Sequence, residues 1–566
     1  MRTAFFNGLV ISCLFLLASC GKSNTVGKLI PSNADMVIHI NGKSLSGKLS
    51  WSEIKQNAFF INAYGDSSLA ASMKALLNNP EGAGIDANGD LLFFVQKDTI
   101  GNYGAFEGTI KDEKLFKAFN AQFFMNATET EKDGVKYITK NPYCLGYSKD
   151  KFVYIVDAPE LNKMQALNRR KQASSSDSNA IKHSNIEEDC KAIFTLKESN
   201  SLGKSDKFSN LLNETGDLHL WINLEQLAKG IPANPMMAMV NTDQLYKGSI
   251  ATAAFNFEKG KINILAKTYL SDDLASIFKK YKGANSNEDM MKRMPGKDIV
   301  GLMAFSFKPE GIREFLQLTN LDGFANMGLK YIGFTIDDFI KANKGDVFIG
   351  VSDLTVKTDS TKQHFKLQDE VVTENIKPVF NFVFATTIAD KNAFTKLVDA
   401  GKKLGTQHFA DSSKLGYAYN LNNTYFALAN TKENANKFIA GTNTNFDFIS
   451  KINGQPMAGY LNIQLLLKAF EKQSAKDSSE KKVYNASVKL WDNILLKAGD
   501  MAGSAITQTI EINLIDKTTN SLKQLTQYAN VLSEVNKIAK DKQKADRMAF
   551  EDALPPELKE PTPKTK

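Results

Sequence analysis

Apolar and polar positions alternate with a period of two, or nearly so, through Phe380-Asn381-Phe382-Val383-Phe384-Ala385, which predicts a half-buried strand. Elsewhere the period changes to that of a helix. Leu115, Phe116, Ala118 and Phe119 follow Asp112, and Phe394, Leu397 and Val398 follow Asp390, so each aspartate stands where an N-cap is needed. Val483 to Leu496, with Val488, Trp491, Ile494 and Leu495 at helical spacing, predicts an amphipathic helix packed inward. Runs of adjacent strands joined by short turns, broken by capped helices, predict an α+β fold of antiparallel sheets with helices packed on one face.

The pattern repeats along the chain. Asp35-Met36-Val37-Ile38 aligns with Asp298-Ile299-Val300, each a strand start shortly after a proline, Pro31 and Pro295. Asn88 to Phe94 aligns with Lys344 to Ile349, and Thr109 to Phe116 with Thr387 to Phe394. Between these blocks the second copy carries a polar insertion, Thr355 to Ile376, which accounts for the longer offset beyond it. Val135-Lys136-Tyr137 then matches Leu415-Gly416-Tyr417, and Phe152 to Val156 matches Thr424 to Leu428. Leu220 to Asn223 resembles Tyr460 to Ile463, each leading into a short helix, Leu224 to Lys229 and Gln464 to Phe470. Two internally duplicated halves are therefore expected, residues 31–281 and 295–538, joined by a linker at 282–294. Asn168 to Asp189 reads as a polar loop, and the charged, Pro-rich residues 539–566 read as a disordered tail with a weak helix before it.

The first residues follow neither period. Arg2 precedes an apolar run from Leu9 to Leu17, short of the about 20 residues that a spanning helix needs. The run ends in Leu17-Ala18-Ser19-Cys20, which resembles the lipobox of lipoprotein signal peptides. That resemblance implies cleavage after residue 19 and lipidation of Cys20, with residues 20–30 as a tether. Acyl chains on Cys20 would anchor the protein, because each buried methylene adds roughly 0.8 kcal/mol. Neither an aspartate directly after Cys20 nor an acidic cluster follows. An outer-membrane address facing the periplasm is expected, with display at the cell surface as the alternative.

Composition adds little to this picture. The chain has 566 residues, too many for one core, with 43% hydrophobic and 23% charged residues. A net charge of +8 is spread over scattered lysines rather than gathered in a basic stripe with aromatics, so no nucleic-acid partner is expected. Of the four cysteines, Cys13 leaves with the leader and Cys20 carries lipid, which leaves Cys144 and Cys190. In an oxidising compartment they form one disulfide or remain two buried thiols, and spacing does not decide between these.

Several local patterns hint at chemistry, and each is better read as structure. Asp86-Ala87-Asn88-Gly89-Asp90 begins like a calcium loop, but Leu91 and Lys97 stand where glycine and glutamate are needed. The counterpart has Ala342 where Asp86 stands, so an Asn/Lys-Gly turn feeding a strand is the common element. Asn41-Gly42-Lys43-Ser44 lacks the earlier glycine of a phosphate loop, with Val37 in its place, and reads as a strand-to-helix turn. His39 and His219 fall in strand-like runs, and His183 and His364 in polar loops; with His408 they form no metal or triad motif. Pro235 to Val240 reads as core or as an interface between the halves, with an adaptable partner surface as the alternative. No metal, cofactor or catalytic residue is assigned.

Taken with the lipobox, the opening from Pro31 to Ile40 followed by Trp51, and the Gly-Asp strand starts at 89–90 and 345–346, resemble a family of uncharacterised outer-membrane lipoproteins, domain of unknown function 4836. The resemblance covers nearly the whole mature chain. It implies no assigned activity, and it carries no functional residues across. The reading is a lipid-anchored envelope protein, a non-enzymatic binding or scaffold lipoprotein with an envelope protein, glycan or peptidoglycan as partner. The alternative is a hydrolase acting on an envelope or dietary polymer with a site formed between the halves.

Overall fold

A computed structural model describes residues 26–553 apart from 59, 62–73, 75–78, 98–100, 159–183, 230–239, 364–370, 409–415, 442–443 and 475–477. The chain divides into two compact units, Met1–His39 with Gly84–Glu214, and Ile40–Ala83 with Thr215–Lys566. Both mix helices with antiparallel strands. Among the described residues no helix is long and apolar enough to cross a membrane.

In the first unit, β1 (Met36–Asn41, whose last two residues belong to the second unit) is followed by β2 (Asp90–Lys97), β3 (Asn102–Thr109), β4 (Glu129–Lys132), β5 (Val135–Lys140), β6 (Tyr143–Tyr147) and β7 (Lys151–Asp157). The order is β4-β5-β6-β7-β3-β2, antiparallel throughout. After β3 comes α1 (Glu113–Phe123), capped as expected by the Asp112 carboxylate, which accepts from the Leu115 N–H at 2.9 Å. It buries Phe116 and Phe119, while Leu115 faces solvent. The polar loop expected from Asn168 to Asp189 ends early, because α2 (Ile186–Phe194) begins inside it. Ile186, Cys190 and Ile193 recur at helical spacing and are buried, and that stripe outweighs the acidic residues between them.

The second unit holds a larger sheet. Its strands are β8 (Leu218–Asn223), β9 (Ile250–Glu258), β10 (Lys261–Tyr269), β11 (Ile299–Ser306), β12 (Asn343–Gln363), β13 (Val371–Ile388), β14 (Ala418–Leu421), β15 (Tyr425–Ala429), β16 (Met457–Asn462), β17 (Trp491–Ala502) and β18 (Ala505–Leu514). They lie antiparallel in the order β8-β9-β10-β18-β17-β16-β11-β12-β13-β15-β14. Here β14-β15-β13-β12 follows the same sequence of pairings as β6-β7-β3-β2 in the first unit. The polar insertion is the outer end of the β12–β13 hairpin, whose ladder runs on to Gln363 opposite Val371.

The principal core of this unit lies on one face of β11, β12, β13 and β16. There Leu302, Ala304, Phe348, Val383, Ala385 and Ala458 pack under Met290, Met291 and Met294 from α3 (Glu288–Lys292) and its C-terminal turn. Phe438 of α4 (Lys432–Ala440) joins them. The stretch 282–294, which composition marks as a joint, therefore supplies three fully buried methionines. Arg293 fastens α4 by donating to the Phe438 and Ile439 carbonyls at its last turn.

Further expectations change. The residues from 539 do not all lack structure, since a helix, Ser521–Ala553, runs past that point. Trp491 to Leu496 is not helical: α6 (Ser478–Leu490) stops at Leu490, and the next residues form β17 between β16 and β18. A short apolar run that fits helical spacing also fits a strand, and pairing to two neighbours decides for the strand. Helices also cover both faces of the sheet near β11, since α5 (Ile463–Ala469) lies on the side opposite the core just described. β11 reads Ile-Val-Gly-Leu-Met-Ala-Phe-Ser, apolar on both faces, so each face needs cover. Finally, residues 86–89 do form a turn, closed by the Asp86 carboxylate on the Asn88 N–H, but Lys344-Gly345 already lies in β12. The register slips between Asn343 and Val347. Gly345 has φ 107°, and a Cβ there would stand 1.9 Å from the Phe307 carbonyl oxygen, so glycine is required for close approach rather than for a turn.

Candidate functional site

The face of β11, β12, β13 and β16 away from the methionine core carries a groove of about 430 Å³. Period two puts Gly301 and Met303 of β11, Ile349 and Val351 of β12, and Leu461 of β16 on this side. Leu466 of α5 walls it along one edge. At its far side a bulge between Ser352 and Thr355 changes the phase, with Asp353 at φ 51°, and brings Leu354 into the wall beside Pro378 and Phe380. The Asp353 carboxylate fixes the bulge by accepting from the Lys297 and Asp298 N–H groups and from Asn381 Nδ2.

The lining is almost wholly apolar. Beneath it β11, β16 and residues 347–352 of β12 are paired on both sides, so their backbone groups are engaged. Met303 and Ile349 remain 42% and 38% exposed, which is unusual for large apolar side chains on interior strands. Gly301 sets the depth. A Cβ there would meet only Tyr460 O at 3.4 Å and Leu461 Cδ1 at 3.5 Å, ordinary contacts, so the backbone does not demand glycine. Its missing side chain is what leaves the space. A second hollow of about 290 Å³ shares Val300 and Leu354 with the groove and is edged by Asp298, Thr355, Lys468, Glu471 and Lys472. An apolar trough thus opens onto a rim with two ammonium and two carboxylate groups, an arrangement suited to binding a ligand with one apolar and one charged end.

A different cluster lies in the first unit. Glu107 on β3 is fully buried, and neither carboxyl oxygen has a hydrogen-bond partner. Burial pushes its carboxyl up to about 7; Lys151, with Nζ 3.9 Å from Oε1, works against the shift, and Asp90 adds to it. Asp90 in turn lies 2.9 Å from the Nε2 of buried His39. Nothing in the local sequence marks Glu107 except phase: it falls in step with Tyr103 and Ala105, both buried. The groove has a fainter signal of the same kind, namely continuous apolar runs in β11 and β12 where one-sided burial would alternate.

Of the residues singled out from sequence, Cys20 lies outside the described residues, as do His183, His364 and Pro235–Met239. Cys144 on β6 and Cys190 on α2 are brought together, each fully buried and each a free thiol. The two thiols interact, and the Cys144 sulfur together with burial pushes the Cys190 thiol up. Thr139 Oγ1 is a further partner, 3.3 Å from Cys144 Sγ. Asn41 caps the helix Gly42–Lys48 through the Ser44 N–H, as a strand-to-helix turn should. Ser44 Oγ and Lys48 Nζ then hold the buried Asp217 carboxylate at 2.5 and 2.7 Å, a use of these residues that the phosphate-loop comparison did not suggest. Buried His219 sits on β8.

Fold and groove together define an α+β protein of antiparallel sheets carrying an apolar, charge-rimmed trough. Residues 27–446 match the family described as Domain of unknown function (DUF4836), well over half of the chain, and the protein belongs to that family. No curated protein matches its sequence. Among solved structures, crystal form III of TP0453 is similar over 44% of this chain and 82% of its own, at 9% identity and a TM-score of 0.24. Crystal form IV of TP0453 gives the same identity and score, over 44% and 83%.

Proposed function

We propose that this protein is a lipid-anchored envelope lipoprotein that binds its ligand without turning it over, with acyl chains on Cys20 and the body facing the periplasm at the outer membrane. The groove on β11, β12, β13 and β16 carries the binding part of this reading, because large apolar side chains stay exposed around a space that Gly301 keeps open. The Leu17-Ala18-Ser19-Cys20 sequence supports the anchor. The common order of pairings in β6-β7-β3-β2 and β14-β15-β13-β12 supports reading 31–281 and 295–538 as divergent copies of one design.

Two measurements test the proposal. Cys20→Ala should abolish incorporation of radiolabelled palmitate and move the protein from the membrane pellet to the soluble fraction; continued sedimentation with the outer membrane would refute the lipid anchor. Native mass spectrometry of the protein purified from its own envelope should show a non-covalent adduct that Gly301→Phe removes. A bare mass in the unaltered protein would count against the groove as a binding site.

A further inference from the structure

We infer that the groove takes the single hydrocarbon chain of a zwitterionic amphiphile of the lysophosphatidylethanolamine type, with the head at the Lys468–Lys472 rim. The inference rests on reading the groove as the binding site and goes on to name what fills it.

The lining sets the first condition. A peptide laid in the trough would bring an N–H and a C=O with every residue, and an almost wholly apolar lining offers them no partner. Strand addition is closed beneath the trough as well, because β11, β16 and residues 347–352 of β12 have both neighbours in place. A glycan fails on the same ground, since its hydroxyls would be stripped of water and left unpaired. A hydrocarbon chain carries no such groups. A volume of about 430 Å³ lies within the ordinary range for a small-molecule site.

The rim sets the second condition. Lys468 and Lys472 stand with Asp298 and Glu471 around the adjoining hollow. A fatty acid would place its carboxylate among two carboxylates as well as two ammonium groups. A phosphate joined to an ammonium matches both signs at once, the phosphate toward the lysines and the ammonium toward Asp298 and Glu471. Because the rim is open to water, it selects the head more than it adds affinity.

The test is a calorimetric titration of the chain lacking residues 1–20, using lysophosphatidylethanolamines of increasing chain length, each below its micelle concentration. Affinity should rise about fourfold for each added methylene until the groove is full, and then level off. Gly301→Phe, which fills the trough, and Met303→Lys, at an exposed position that tolerates a charge, should each weaken binding at least tenfold while leaving the thermal melt in place. The Lys468→Glu, Lys472→Glu double variant should weaken the phospholipid several-fold and leave a neutral alkyl glycoside unchanged. Affinity independent of chain length, or insensitive to both groove variants, overturns the inference. Fatty acids binding as tightly as the zwitterion overturn the head assignment. If no amphiphile binds while the envelope-purified protein still carries an adduct that Gly301→Phe removes, the groove remains a binding site and the acyl-chain inference alone fails.

Discussion

Glu107 is buried without a hydrogen-bond partner, and the consequence is a stability that depends on pH. Its ordinary carboxyl value of 4.5 is raised to about 7 in the folded chain, chiefly by burial. Between those values the folded protein holds a proton that the unfolded chain has lost. The contribution is therefore fully present below about pH 4.5, falls as pH rises, and is gone above about 7. Glu107→Gln should remove this slope and leave the protein more stable at pH 8, by up to about 3 kcal/mol. Urea denaturation of both forms at pH 5, 6.5 and 8 measures it; an unchanged slope in the variant would show that the proton sits elsewhere. At this scale the sequence was partly legible. Asp112 and Asp390 were readable as caps because a cap is local: each accepts an N–H three residues on, from Leu115 and Ala393. Glu107 was not, because its burial depends on neighbouring strands such as β7, whose Val153 stands opposite it from 46 residues away.

Elements were more legible than contacts, and the exceptions share a cause. Periodicity and the repeated blocks located β2, α1, β7 and β8 in the first part of the chain and β12, β13, β15 and β16 in the second. It failed at Trp491, where Ile494, Leu495 and Leu496 are apolar in succession and lose the alternation that would identify a strand. The thiols belong to this scale, since they connect α2 to β6 across an interval of 46 residues. Two buried thiols in mutual contact should lose two protons and two electrons to an exogenous disulfide and close that loop, in the oxidising compartment the leader implies. Loop entropy makes the link worth about 4 kcal/mol. The envelope-purified protein should then be 2 Da lighter than its reduced form, and Cys190→Ala should lower the urea midpoint of the oxidised protein. Two titratable thiols in the freshly denatured protein would show that the pair stays reduced.

For the whole molecule, the sequence by itself determined the element types, the antiparallel α+β character, the cap positions and the family, all of which are local or periodic properties of the chain. The proposed anchor at Cys20 is of the same kind, since a lipobox is read along the chain. Tertiary structure decided which faces are covered and what is left open. Met290, Met291 and Met294 are core because β11 and β12 present an apolar face on which they pack together with Phe438. The groove exists because Gly301, Ile349, Leu354, Phe380 and Leu466 converge from four separate elements. No spacing rule brings those positions together. Pairing across the sheet fixes their neighbours, and the Asp353 bulge fixes the phase at which Leu354 arrives. A site made of absent atoms leaves no motif in a sequence: what marks this one is a glycine where a larger residue would fit, and only the packed sheet shows that space.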